Sequence, residues 1–171
     1  KLTFLTNSLI KMSRLESGII SLKPERNSLN DIVLHAIKTV YAKAKNKNIT
    51  ITFDCEQTFE ALLDFNWTAE AITNVLDNAV KYTPNGGIVD LKITEYPSYL
   101  RLDISDNGIG IPEEEQAKIF GRFYRGKQSA GVDGVGIGLY LTRDIVNKQK
   151  GYIKVASDEN GSTFSLFLKK D

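Results

Sequence analysis

The chain has 171 residues, 22 Lys+Arg against 21 Asp+Glu, a formal net charge of +1, 42% hydrophobic and 25% charged residues. Such a composition fits one globular core and lacks the basic excess that a nucleic-acid partner asks for. A single cysteine excludes an internal disulfide framework, a single histidine argues against a histidine metal site or a Ser-His-Asp triad, and no apolar run is long enough to span a bilayer.

Residues 1–19 predict a helix. Leu2, Leu5, Leu9, Met12, Glu16 and Ile19 follow a three-four spacing with Leu15 beside the seam, a heptad-like stripe broken by Glu16. The segment is too short to be stable alone and is expected to pack on the body or on a second copy. It opens without an initiator Met or a signal-peptide pattern, as a piece of a longer protein would. The expected division is 1–20 as the end of a helical domain, 21–30 as linker and 31–171 as the main domain, with Gly18 and Pro24 bracketing the end of the first helix and Ser28–Asp31 offering caps. A second helix over 31–47 follows from Ile32, Val33, Ala36, Ile37, Val40, Tyr41 and Ala44; His35 on it reads as a surface or packing residue. Residues 49–53 alternate as a strand, Cys55 reads as inert, and 59–63 form a further short strand. Asn66 is the candidate cap for a helix starting near Trp67, although Glu70 stands four residues on, so there is no capping box.

That helix carries the central pattern. Asn74, Asn78 and Lys81 share one face, while Ile72, Val75, Leu76, Ala79 and Val80 take the other. Asn is a poor helix former, so two carboxamides and an ammonium beside an apolar face point to a site. Pro84–Gly87 ends the helix, and 88–95 and 100–105 alternate as a hairpin with Pro97-Ser98 at its turn. Asp106 follows at the strand end, with Gly108 and Gly110 allowing close backbone approach. Pro112 and three glutamates open a helix that reaches Phe120, ahead of Phe123, Tyr124 and Arg125. Residues 126–138 hold Gly126, Gly131, Gly134, Gly136 and Gly138 and read as a mobile loop feeding a helix N-terminus, where free N–H groups can hold phosphate. This is neither a dinucleotide fingerprint, which needs a βαβ unit, nor a P-loop, which needs Gly-Lys-Ser/Thr. A closing hairpin, 152–156 with 163–168, completes the chain.

Taken together these residues ask for a purine nucleoside triphosphate. A carboxylate accepts from an exocyclic amine, an amide oxygen ligates a Mg²⁺ that leans mainly on phosphates and water, and Lys81 and Arg125 offset phosphate charge. No general base for a hydroxyl acceptor is evident, and the His-Arg-Asp and Asp-Phe-Gly signatures of Ser/Thr kinases are absent.

In order and spacing, from about residue 25 to 168, the chain resembles the catalytic ATP-binding domain of bacterial sensor histidine kinases, in the wider group with gyrase, Hsp90 and MutL. Asn74-x-x-x-Asn78-Ala-x-Lys81-Tyr82 resembles the N box, Asp106-x-Gly108-x-Gly110 the first glycine box, Phe120-x-x-Phe123-Tyr124-Arg125 the F box, and Gly134-x-Gly136-x-Gly138-Leu139 the second glycine box. Gly161-Ser162-Thr163-Phe164 matches a further glycine segment, and Leu15-Glu16-Ser17-Gly18 the exit of a dimerisation helix. The resemblance implies a two-layer α/β sandwich, a mixed, mainly antiparallel sheet with helices on one face. It implies ATP and Mg²⁺ as cofactors. Asp106 would bind the adenine amino group, Asn78 would ligate Mg²⁺ with Asn74 nearby, and Lys81 and Tyr82 would hold the phosphate and sugar side. Arg125 would reach the terminal phosphate, residues 126–137 would form the lid, and Gly108, Gly110, Gly134, Gly136, Gly138, Leu139 and Thr163 would complete the nucleotide site. Asn78, Lys81 and Arg125 would carry catalysis.

By the same resemblance the activity is transfer of the γ-phosphoryl group to a histidine outside residues 1–171, so this chain should not autophosphorylate alone. The implied partners are its own dimerisation and phosphotransfer domain, a response regulator and a second copy in the full-length protein, with no nucleic acid and no direct membrane contact. The implied location is the cytoplasmic side of a membrane-anchored parent. Two departures are visible: Gln149-Lys150-Gly151 stands where His-Gly-Gly is common, read as a structural turn, and Asp133 puts an acid beside the phosphate loop, which weakens anion binding if it faces inward. Two other readings remain open. One is an ATPase-driven conformational module using Glu70, one turn before Asn74, to activate water, which Glu70→Ala would abolish. The other is an anti-sigma or scaffold protein with a nucleotide site, distinguished by Ser/Thr rather than His phosphorylation.

Overall fold

The computed structural model describes residues 2–17, 21–54, 56–127 and 134–171, without the side chains of Phe4 and Leu15. The expectations placed on Leu15, Gly18, Ile19, Cys55, Gly131 and Asp133 therefore lie outside what is described. Twelve elements follow in chain order: α1 (Leu2–Glu16), β1 (Glu25–Ser28), α2 (Leu29–Asn46), β2 (Thr50–Phe53), β3 (Glu60–Leu63), α3 (Phe65–Tyr82), β4 (Ile88–Glu95), β5 (Tyr99–Asp106), α4 (Glu113–Gln116), α5 (Gly138–Lys148), β6 (Tyr152–Asp158) and β7 (Gly161–Lys169).

The main sheet runs β2-β4-β5-β7-β6, with β2 parallel to β4 and every other pair antiparallel. This is the mixed, mainly antiparallel sheet expected, with α2, α3 and α5 covering one face. Alternation explains the layering. Val89, Leu91, Ile93, Leu100, Leu102, Ile104, Phe164, Leu166 and Leu168 are buried toward the helices. Ile32, Val33, Ala36 and Val40 of α2, Ile72, Val75, Leu76 and Ala79 of α3, and Leu141, Ile145 and Val146 of α5 close the same core. Register ties the layer together: Leu91 pairs Ile104, Ile104 pairs Phe164, and Phe164 pairs Val155. The other face is finished by polar and aromatic pairs. Tyr152 stacks on Phe167 at 4.4 Å, Arg101 covers Phe167 at 5.6 Å, and Asp103 accepts from Arg101 at 2.8 Å.

Three sequence expectations change. Residues 25–28, read as linker, form β1, antiparallel to β3 in a second, two-stranded sheet. α2 consequently starts at Leu29, with the Ser28 hydroxyl accepting from the Asp31 N–H at 3.2 Å. α3 starts at Phe65 and its cap is Asp64, not Asn66. The Asp64 carboxylate accepts from the Trp67 N–H at 3.0 Å and from the Lys23 N–H at 2.9 Å, so it serves the helix and the incoming chain at once. The helix after Pro112 is shorter than expected, ending at Gln116.

α3 is braced at both ends. Gln149, buried after α5, accepts from the Asp64 N–H at 2.8 Å and donates to the Thr68 hydroxyl at 3.1 Å. At the other end the Lys47 ammonium donates to the carbonyls of Val80 at 2.7 Å, Lys81 at 3.0 Å and Thr83 at 2.5 Å. A cation there satisfies helix-end carbonyls and meets the negative pole of the helix. α1 packs on the body through buried Met12 and through Lys11, which pairs with Glu70 at 2.9 Å. Its last turn brings Glu16 to Arg122 and to the Tyr140 hydroxyl, the latter at 2.8 Å.

Candidate functional site

A cavity of about 300 Å³ opens between α3, the end of β5, residues 109–112, residues 124–126 and the start of α5. Its polar wall comes from α3. Because α3 buries Ile72, Val75, Leu76 and Ala79, its 74/78/81 face is turned to the cavity with Asp77 beside it. Asn74 is tied to the opposite wall: its amide N–H donates to the Gly138 carbonyl at 3.3 Å, where α5 begins. The Lys81 ammonium pairs with Asp77 at 2.7 Å and lies 3.9 Å from where a Gly134 Cβ would stand. Burial alone would push the Asp77 carboxyl up, but hydrogen bonds and charge from Lys43 and Lys81 reverse this and hold it below the usual carboxylate range.

At the far end sits Asp106. Burial pushes its carboxyl above the ordinary value, opposed by backbone N–H groups of Gly108 and Ser162. The Gly108 N–H donates to Asp106 Oδ1 at 2.9 Å. A half-buried carboxylate aimed by two amides is a good acceptor for an exocyclic amine. Apolar side chains from Ile109, Ile111, Ile119, Ile137, Leu141 and Phe164 line the same cavity, suited to a flat ring system. Gly110 is required here: its φ is +72°, and a Cβ would meet the Asp158 carbonyl oxygen at 1.8 Å. Burial also raises the Tyr82 phenol, with the Arg125 charge working the other way.

Of the sequence-predicted positions, Asn74, Asn78, Lys81, Tyr82, Asp106, Gly110, Arg125, Gly134, Gly136, Gly138 and Leu139 line the cavity. Two do not. Gly108 acts on Asp106 through its N–H, and its Cβ position is blocked by the Tyr82 carbonyl oxygen at 2.7 Å. Thr163 is turned away: its hydroxyl pairs with Ser105 at 2.9 Å, and Ser162 lines the cavity instead. Strand alternation accounts for this, since Ser162 shares the buried face of Phe164 and Leu166. The sequence reading missed Asp77, Ser162 and Glu115. Glu115 is 4% exposed and accepts from the Lys127 N–H at 3.2 Å, beside Arg125 and Gly126. Its helical position gave no signal, because three successive glutamates read equally as dipole-complementing surface acids. Glu70 also lines the cavity, with its carboxylate held by Lys11.

Among the described residues no group of three His, Cys, Asp or Glu side chains could hold a metal ion. The Asn78 carboxamide in the cavity wall fits a Mg²⁺ that keeps its waters and leans on substrate phosphates. Among the described residues no helix is long and apolar enough to cross a membrane.

The family model described as histidine kinase-, DNA gyrase B- and HSP90-like ATPase matches residues 63–171. Sensor histidine kinase Hik2 of Synechocystis sp. is 37% identical over 163 residues, covering 83% of this chain and 36% of that protein. The mycobacterial sensor histidine kinase MprB aligns in structure with a TM-score of 0.72 and 27% identity, covering 85% of this chain and 97% of that one. Full-length ShkA in complex with AMPPNP has the same fold, with a TM-score of 0.86 at 22% identity over 98% of this chain and 35% of that one. The chain thus spans little more than a third of the length of Hik2.

Proposed function

We propose a function from one premise: this chain belongs to the histidine kinase-, DNA gyrase B- and HSP90-like ATPase family. Domains of that family bind ATP with Mg²⁺. We infer that this one presents Mg-ATP to a histidine supplied by a separate dimerisation and phosphotransfer domain. The γ-phosphoryl group leaves the β–γ bridging oxygen and joins an imidazole nitrogen, ADP departs, and a response regulator then takes the group from that histidine. The observation that carries the reading is the single cavity wall on which Asn74, Asn78, Lys81 and Tyr82 converge, with Asp106 and Arg125 lining the same cavity.

In this reading Asp106 accepts the adenine amine, and Gly108 and Ser162 hold the carboxylate in place. Asn78 would ligate Mg²⁺, which when bound would supply positive charge to the phosphates. Lys81 and Tyr82 hold the phosphate and sugar side, Arg125 reaches the terminal phosphate, and the start of α5 offers N–H groups to the same anion. Thr163 stands behind the wall, so Ser162 takes its place at the nucleotide. The parent protein is a membrane-anchored, homodimeric sensor kinase with this chain on the cytoplasmic side, a reading supported by the sensor kinases it resembles.

Transfer in trans tests this. The chain is mixed with γ-labelled Mg-ATP and the histidine-containing domain from its own gene. Acid-labile, base-stable label is expected on that partner, and Asn78→Ala should lower the rate at least about 100-fold by removing a metal ligand. Release of free phosphate with no label on the partner would replace the kinase reading with an ATPase one. Absence of Mg-ATP binding would overturn both.

A further inference from the structure

Lys43 lies on α2, outside the cavity, yet it is joined to the cavity through one carboxylate. Its ammonium donates to Asp77 Oδ1 at 2.6 Å, while the Lys81 ammonium pairs with the other oxygen, Oδ2, at 2.7 Å. The Asp77 side chain is 16% exposed, Lys81 24% and Lys43 63%. One shielded carboxylate therefore holds two cations, one in the cavity wall and one at the surface. Lys81 stands next to Gly134, on the side from which an anionic ligand would draw it.

The energetics of drawing Lys81 away depend on what it leaves behind. A shielded carboxylate stripped of its only cation is costly, because little water replaces the lost partner. With Lys43 in place the carboxylate keeps a cation whichever way Lys81 turns. Lys81 is then free to exchange between Asp77 and an anion at small cost, and in the absence of ligand it is held in the wall rather than lost to solvent.

We propose that Asp77 and Lys43 form a relay that parks the Lys81 ammonium at the cavity wall and releases it to the nucleotide phosphates, making Lys43 a positioning residue for a ligand it does not touch. The inference rests on the reading above that Lys81 grips phosphate. It differs from two blander roles for Lys43. A surface ion pair of this exposure contributes little and would not affect ligand binding. A general contribution of positive charge would act whether or not Asp77 is present.

Titration calorimetry of this chain with Mg-ATP separates the three by a double-mutant cycle. Lys43→Met is expected to weaken binding about tenfold, the scale of a hydrogen bond to a charged group. In an Asp77→Asn background the same substitution should have no effect, because there is no carboxylate to strand. In a Lys81→Ala background it should again have no effect, since no ammonium is left to release. Lys43→Arg should restore most of the affinity. Unchanged affinity in Lys43→Met would overturn the relay, as would an equal loss in the Asp77→Asn background. Either result would leave the nucleotide-site reading standing, provided the parent chain binds Mg-ATP. A parent chain that fails to bind would remove both.

Discussion

α3 and the segment from Ala117 to Lys127 both line the cavity, yet they are held by different means. α3 is built into the core: Ile72, Val75 and Leu76 are fully buried, Asp64 caps one end and Lys47 gathers three carbonyls at the other. In residues 117–127 only Phe120 is buried, meeting Phe164 edge-on at 6.4 Å. Phe123 is 54% exposed with a φ of +58°, and Glu115 holds the far end through the Lys127 N–H. The Asn74 and Asn78 carboxamides of the cavity wall stand on the part that opens only with the whole fold. Arg125 stands on the part in which only Phe120 is buried, where local opening costs less than in α3. The contrast predicts that damage to the first part is global and damage to the second is local.

The most severe single change to the cavity's frame is Gly110→Ala, in the segment that follows β5. The residue sits at φ +72°, and the added Cβ would meet a backbone oxygen of Asp158, which cannot rotate aside. Left-handed strain and overpacking add to about 3 kcal/mol or more, enough to move the urea midpoint well down or prevent folding. A midpoint close to the parent's would show that the 109–112 segment yields easily and belongs with the looser part.

Glu115→Ala tests the second part. It removes the acceptor for the Lys127 N–H and the carboxylate beside Gly126, at a cost of about 1–2 kcal/mol. The loss should stay local: amide exchange should quicken across 118–127 while α3 amides keep their protection. Equal quickening in α3 would mean the two walls open as one unit.

These differences also mark what the sequence made legible. Core and sheet followed from periodicity: the 74/78/81 face of α3 and the alternation of β4, β5 and β7 needed no tertiary information. Gly108 and Gly110 signalled close approach, and a Cβ at either would meet a backbone oxygen. Several of the missed features are contacts across long sequence separations. Asp77 carries no local sign that Lys43, on another helix, shares it. Gln149 read as a neutral turn residue because its partners, Asp64 and Thr68, lie at the far end of another helix. β1 was hidden because Glu25, Arg26 and Asn27 lack strand-like side chains, and its pairing depends on β3. Thr163 was chosen by matching a motif, whereas strand parity places Ser162 on the cavity side.

The smallest effect concerns two of the carboxylates that line the cavity, Asp106 and Asp77. Burial raises Asp106 above its ordinary value of 3.8, whereas two lysines hold Asp77 below it. For Asp106 the folded state binds its proton more tightly than the unfolded state. The charged form therefore costs stability at all pH above the raised value, and the cost fades as pH falls toward the unfolded value near 3.9. Asp106→Asn should melt at a higher temperature than the parent at pH 7, with the gap closing as the pH approaches about 4. In the proposed reading, in which Asp106 accepts the adenine amine, the same variant should lose affinity for Mg-ATP, since a neutral amide is a weaker acceptor. Asp77→Asn has the opposite sign. Its carboxylate contributes stability above the unfolded value that is lost only as pH falls through the lowered folded value, so the variant should melt below the parent at pH 7. Melting curves of both variants from pH 7 to pH 3 decide the matter. If Asp106→Asn melted below the parent at neutral pH, its carboxylate would be a structural anchor for Gly108 and Ser162 first, and the end of β5 would owe its shape to that anchor rather than to a ligand it is built to receive.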